Sequence, residues 1–213
     1  MKITPVKTPL VAKKMFPNYV WDIPTQAKEL YLTFDDGPTP EITNWTLDTL
    51  KQFQAKATFF CIRNNIEKHP DIFKKIVDEG HSIGNHTAHH VKGWKTKTKA
   101  YVSDVLETET HIKKLQSKRS HLFRPPYGQI KPKKGKELMA LDYKIIMWDV
   151  LSFDWQKEIS EEECYKNVIT KSKEGSIVVF HDSIKASKNM MYALPKVLEY
   201  FSEEGYQFKA LSF

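Results

Sequence analysis

From Glu29 onward the apolar and polar positions fall into a repeated strand–helix beat. Residues 30–34 (Leu30, Tyr31, Leu32, Thr33, Phe34) read as a short strand. Thr39-Pro40 then reads as the cap and first residue of a helix presenting Ile42, Trp45, Leu50 and Phe53. Residues 57–61 are strand-like, and the following helix opens at His69-Pro70, presents Ile72, Phe73, Ile76 and Val77, and stops at Gly80. Residues 82–84 predict a weak third strand. A helical period through Val102, Val105, Leu106, Ile112 and Leu115 precedes a fourth strand at 121–123. A weaker helix over 133–141 leads to a strand at 143–148. Ser160 and Glu163, at capping-box spacing, open a helix that leads to a strand at 176–180. A last helix around 194–204 ends at Gly205 before a strand at 207–211. Residues 1–27 scatter Pro and Lys without a period and read as an extended N-terminal arm.

Seven strands alternating with helices predict an α/β fold of parallel βα units. The chain of 213 residues is short for a full eight-fold barrel of roughly 250 residues. A distorted or incomplete (β/α) barrel of about seven parallel strands with outer helices suits that count. An open doubly wound sheet is disfavoured because no glycine-rich phosphate loop follows the first strand.

Composition narrows the class. A hydrophobic content of 40%, with 12 Phe, 9 Tyr and 5 Trp, excludes a disordered chain. No apolar run approaches the ~18 residues of a membrane span. The start, Met1-Lys2-Ile3-Thr4-Pro5, lacks the apolar stretch of a secretory signal, so the expectation is a cytoplasmic protein as given, or an exported one whose sequence has been trimmed. Cys61 and Cys164 form no disulfide framework or CxxC site and read as buried thiols. The net charge of +7 rests on dispersed Lys, with Arg only at 63, 119 and 124, which argues against nucleic acid as a partner. The lysine-rich stretches 92–99 and 131–136 read as solvated loops, with Trp94 a weaker candidate for stacking on a sugar ring.

The unusual polar residues gather at the ends of predicted strands. Asp35-Asp36-Gly37-Pro38 follows the first strand, Asn85-His86-Thr87-Ala88-His89-His90 the third, and Arg124-Pro125-Pro126-Tyr127-Gly128 the fourth. Asp149, Asp154 and Trp155 follow the fifth, and His181-Asp182 the sixth. In a barrel all these ends open onto one face, so distant residues converge there. Adjacent carboxylates at Asp35 and Asp36 resist joint ionisation, which a cation relieves. His86 and His90, four apart, can share a metal with one carboxylate and leave coordination positions open; spacing alone also allows His89. A buried Arg124 beside Asp35 would hold that carboxylate ionised. His181, close to Asp154, is a candidate general acid.

In order, these segments resemble the polysaccharide deacetylase superfamily, the NodB-homology domain of carbohydrate esterase family four. The resemblance is carried by residues 33–38, 86–90, 124–127, 154–155 and 177–181, and extends over roughly 28–213, leaving 1–27 as an extension. It implies a metal, usually zinc, on Asp36, His86 and His90. It further implies Asp35 as general base oriented by Arg124, His181 as general acid tuned by Asp154, and the Tyr127 N–H as an oxyanion donor. Trp155, Ile177 and Val179 are implied to shape an acetyl pocket. The implied activity is removal of N-acetyl groups from an amino-sugar polysaccharide or oligosaccharide such as peptidoglycan or a chitin-like chain. Alternatives are an O-acetyl esterase, a small-amide hydrolase, or a silent carbohydrate-binding protein. Leu151 stands where many members carry an acidic residue, and His89 where serine is common.

Overall fold

Strand β1 (Glu29–Asp35) is the centre of the fold, with every residue after Glu29 buried, as expected of a parallel strand covered on both faces. The computed structural model of the chain describes residues 5–116 and 120–213; Met1–Thr4 of the N-terminal extension and Arg119 lie outside the described residues. The period of two divides β1 cleanly. Leu30, Leu32 and Phe34 face the helices and join the main core, Tyr31 joins the cluster inside the curl of the sheet, and Thr33 and Asp35 share its face. Strand β7 (Ile177–His181) divides the same way: Val178 and Phe180 join the main core, and Ile177 lies inside. Asp35 and His181 are direct register partners at the carboxyl ends of these neighbouring strands.

The other strands are β2 (Thr58–Cys61), β3 (Ser82–Asn85), β4 (Leu122–Phe123), β5 (Lys144–Ile145), β6 (Val150–Leu151) and β8 (Gln207–Phe208). They are parallel in the order β5-β4-β3-β2-β1-β7-β6, with β8 on the amino-terminal end of β1. Helices α1 (Leu10–Met15), α2 (Ile42–Gln52), α3 (Arg63–Lys68), α4 (Pro70–Asp78), α5 (Thr98–Gln116), α6 (Pro132–Ala140), α7 (Glu161–Ile169) and α8 (Ser187–Glu203) complete the chain. The seven strands along that order curl into an incomplete barrel. No helix among the described residues is long and apolar enough to cross a membrane.

The barrel's two terminal strands, β5 and β6, would present unpaired backbone edges. The N-terminal arm occupies both: Val20 bridges Ile146 in parallel and Lys7 bridges Val150 antiparallel. A buried charge fastens it. Asp149 receives Lys7 Nζ and Lys13 Nζ at 2.6 Å each, and the Ser176 hydroxyl at 2.6 Å.

Several expectations are corrected. The predicted strand at 143–148 pairs with β4 only over Lys144–Ile145, because the carbonyls of Ile146 and Met147 turn to the Arg124 side chain. Val150–Leu151 then forms a separate strand on β7. Helix α2 begins at Ile42 rather than at Pro40, after Glu41 takes a left-handed φ of 65°. Helix α3 was not foreseen because Ile66 is its only buried residue, too few for a period. The arm is not wholly extended, since it contains α1. Nor is 131–136 a solvated loop: it enters α6, and Lys134 is buried with its ammonium 5.6 Å from the Tyr101 ring centre.

The Asp149 cluster yields a prediction. Burial alone would raise its carboxyl, but the bonds from Lys13 and Lys7 hold it below the ordinary carboxylate value. Its stabilisation is therefore fully present above the unfolded-state pKa and is lost as pH falls from there through the lower folded-state pKa. Asp149→Asn should cost about 2 kcal/mol in urea unfolding at pH 7, reduced from the full buried-pair penalty because both ammonium groups can reach solvent. That gap should narrow below about pH 4 and close once pH passes the lower folded-state value. An equal gap at pH 7 and pH 3 would contradict the assignment.

Candidate active site

Arg124, at the end of β4, has no exposed surface, and its guanidinium sits over the Phe60 ring at 4.1 Å from the centre. A buried cation of this kind survives only with full compensation. It donates to Asp35 Oδ1 (2.8 Å), Thr33 Oγ1 (2.6 Å), the Met147 carbonyl (2.9 Å) and, at 3.3 Å, the Ile146 carbonyl. The Arg124 carbonyl accepts from His86 Nδ1 at 2.8 Å. One residue thus orients both a carboxylate and an imidazole. Gly84 makes room for Phe60, since a Cβ there would meet that ring at 2.2 Å.

Asp36, His86 and His90 bring one carboxylate oxygen and two imidazole nitrogens within 4.8 Å of one another. His90 Nε2 is 3.2 Å and His86 Nε2 3.7 Å from Asp36 Oδ1. Burial lowers the His86 pKa to about 4, so its ring is neutral at pH 7. With Nδ1 donating to the Arg124 carbonyl, the Nε2 lone pair faces Asp36. Burial works against an ionised Asp36, but the His90 contact and the charge of His181 hold its carboxyl well below the usual range. Asp36 Oδ1 is nonetheless buried without a properly formed hydrogen bond. Donors on a tetrahedral zinc, each about 2.0–2.1 Å from the ion, would lie about 3.3 Å apart. The orphaned oxygen, the neutral His86 ring and the donor spacing all fit a zinc-type cation with open coordination positions.

Opposite this triad, His181 Nδ1 meets Asp154 Oδ1 at 2.9 Å, and the His181 N–H donates to Asp154 Oδ2. Burial opposes a charged His181, yet the Asp154 charge and hydrogen bond, with Asp36 and Asp35 beyond, raise its pKa to about 9. The His181 and Trp155 rings meet edge-on at 4.7 Å. A cleft of about 430 Å³ joins the two halves, lined by Asp35, Asp36, His86, His90 and His181 and walled by Tyr127, Trp148, Leu151, Trp155 and Val179.

The structure therefore brings together Asp35, Asp36, His86, His90, Tyr127, Trp155, Val179 and His181 at the cleft, with Arg124 and Asp154 directly behind Asp35 and His181. Ile177 is the exception. It shares a face with Val179 but lies two residues deeper, about 7 Å along the strand, among Tyr31, Phe60, Leu122 and Ile146. Leu151, which lacks the acidic side chain common at that position, packs with Val179 and Trp155 instead. His89 turns away from the triad onto Asp104, at 2.6 Å. Trp94 is half exposed.

Sequence reasoning missed the residues that hold the loops. Asp182 is fully buried, accepts the Gly37 N–H at 3.0 Å and the Thr43 hydroxyl at 2.6 Å, and has its pKa raised to about 8, first by burial and then by Asp36. Asn65 Nδ2 donates to the Asp36 carbonyl at 2.7 Å. Asn85 Oδ1 accepts the Thr87 N–H, and Asp104 Oδ1 accepts those of Ala88 and His89. The one available signal was Asp182 itself, next to His181 where a buried strand ends.

A family model described as polysaccharide deacetylase matches residues 22–146. A peptidoglycan-N-acetylglucosamine deacetylase of Bacillus cereus is 32% identical over 211 residues, covering 95% of this chain and 96% of the relative. A second protein of that name from the same strain is 36% identical over 194 residues, covering 91% and 70%. A solved structure of a peptidoglycan N-acetylglucosamine deacetylase superposes with a TM-score of 0.88 at 34% identity, covering 96% of this chain and 95% of that one.

The loop geometry makes Gly37 a sensitive position, because a Cβ there would fall 2.0 Å from Asp182 Oδ2. Gly37→Ala should push the loop off Asp182, displace Asp36 and lower zinc affinity by about 10–100-fold, the usual effect of losing support behind a ligand. Calorimetric zinc titration reads this directly. Unchanged affinity would show that the Asp182 contact does not position the ligand.

Proposed function

The chain belongs to the polysaccharide deacetylase family, and from that premise we propose that it is a metal-dependent hydrolase that removes N-acetyl groups from amino sugars of peptidoglycan. The observation that carries this reading is the pairing, across one cleft, of an Asp-His-His triad beside an arginine-held carboxylate with a histidine held by Asp154. The substrate class is supported by relatives named as peptidoglycan N-acetylglucosamine and N-acetylmuramic acid deacetylases. We assign the catalytic domain to residues 28–213 and the extension to 1–27, whose Lys7 and Val20 pair with the edges of the sheet.

Asp36, His86 and His90 would hold a zinc ion, which would supply Lewis acidity toward the otherwise unreactive acetamide carbonyl and toward water. Asp35, paired with and fixed by Arg124, takes the proton of the attacking water. The Tyr127 N–H stabilises the developing oxyanion, a contribution whose loss typically costs ~10²–10³ in rate. His181 gives its proton to the departing amine through Nε2, since Nδ1 is engaged by Asp154. Leu151, Trp148, Trp155 and Val179 enclose the acetyl methyl and keep bulk water away from it. The products are acetate and a free amino sugar.

Two predictions test the roles. Asp35→Asn should lower acetate release from peptidoglycan by about 10³-fold or more while zinc content by atomic absorption stays near one per chain, whereas His86→Ala should lose both. An Asp35→Asn enzyme with most of its rate would remove Asp35 as base. The alkaline side of the kcat/KM profile should report His181, which is active while protonated and inactive above its pKa. A cation on Asp36 cancels part of the attraction that raises that pKa, so the fall should lie at or below pH 9. Asp154→Asn should move it down by about a unit or more. A fall unmoved by Asp154→Asn would assign it to another group.

A further inference from the structure

The carboxylates around the cleft are already compensated. Asp35 is paired with Arg124, Asp154 with His181, and Asp36 faces the proposed cation site. Two further cations stand at the mouth, and among the described residues neither meets a carboxylate. Lys185, exposed on the loop after β7, lines the cleft directly. Lys92, exposed on the loop after β3, holds its ammonium 5.5 Å from the centre of the Tyr127 ring, which forms part of the cleft wall. Strands β3 and β7 are separated in the sheet by β2 and β1, so the two loops flank the triad from different sides. With zinc bound, the mouth carries a net positive field, focused by the aromatic walls.

Resting on the deacetylase reading, we propose that Lys185 and Lys92 are specificity residues that bind carboxylates on the sugars flanking the one being deacetylated. In a strand that alternates N-acetylglucosamine with N-acetylmuramic acid and whose stem peptides have been removed, every internal glucosamine has a lactyl ether with a free carboxyl group on each side; where a peptide is attached, that carboxyl is taken up in an amide. A homopolymer of N-acetylglucosamine has none. A cleft with cations on two sides of its reactive centre matches the alternating strand, and the same lysines gain nothing on the homopolymer. Both ammonium groups are exposed and hydrated, so each contributes at the level of an exposed ion pair, which salt screens.

The test compares peptide-free peptidoglycan strands, the same strands with their carboxyl groups reduced to alcohols, and chitooligosaccharides of matched length. Acetate release and equilibrium binding are measured for the wild type, Lys185→Gln, Lys92→Gln, the double variant and Lys51→Gln, an exposed lysine elsewhere on the surface. Each cleft substitution should weaken kcat/KM on the intact strands about fivefold, the upper range for an exposed pair, mainly through KM. Both should leave the reduced strands and chitooligosaccharides unchanged, and the wild-type preference for intact strands should shrink at high salt. Equal losses on all three glycans, or no loss on any, would overturn the proposal. Absence of wild-type acetate release from every glycan would count against the deacetylase reading instead, while the binding ratios would still decide the role of the lysines.

Discussion

The arrangement depends on a guanidinium buried in the middle of the protein. Arg124 has no exposure to water, so each of its polar contacts is needed to offset a desolvation cost of several kcal/mol. Those contacts come from β1 through Thr33 and Asp35, and from the segment after β5 through the carbonyls of Ile146 and Met147. Satisfying the charge ends the β5 ladder early and fixes the Asp35 carboxylate. The Arg124 carbonyl, through His86 Nδ1, also selects which imidazole nitrogen faces Asp36. The orientations of the Asp35 carboxylate and of the His86 ring therefore follow from one packing requirement.

Around this centre the backbone is held under strain. Asp36, Thr87, His90, Tyr127 and Phe153 all have left-handed φ values, between 52° and 83°, and all belong to the loops that form the cleft. Each such residue costs of order 1–3 kcal/mol and persists only where its surroundings over-determine it. The restraints are buried or partly buried side chains reaching to loop backbone: Asp182 to Gly37, Asn65 to Asp36, Asn85 to Thr87, and Asp104 to Ala88 and His89. At the opposite edge the arm does similar service. Its lysines on Asp149 lie one residue from Trp148, a wall of the cleft.

The sequence made the reacting groups legible because metal and proton-transfer chemistry demands particular residue types, and strand ends in a barrel share one face. Alternation in residues 30–35 and 177–181 was enough to turn Asp35 and His181 inward. The loop supports were not legible: a lone Asn65, Asn85 or Asp104 in sequence looks like any polar surface residue, and only the folded contacts distinguish it. Ile177, put at the pocket by the resemblance, lies on the inward face of its strand but too deep along it to reach the cleft. The barrel closure was also invisible, since Val20 and Lys7 pair with strand edges through backbone groups that any residue possesses.

The central claim is that the buried, unbonded Asp36 oxygen and the two imidazoles exist to hold a metal that the hydrolysis requires. Titrating the chelator-stripped protein with zinc, while following acetate release from peptidoglycan in the same samples, tests it most directly. The account predicts that activity rises in proportion to zinc and reaches its plateau at one ion per chain. Full activity in the stripped protein, or a plateau of bound zinc without acetate release, would contradict it.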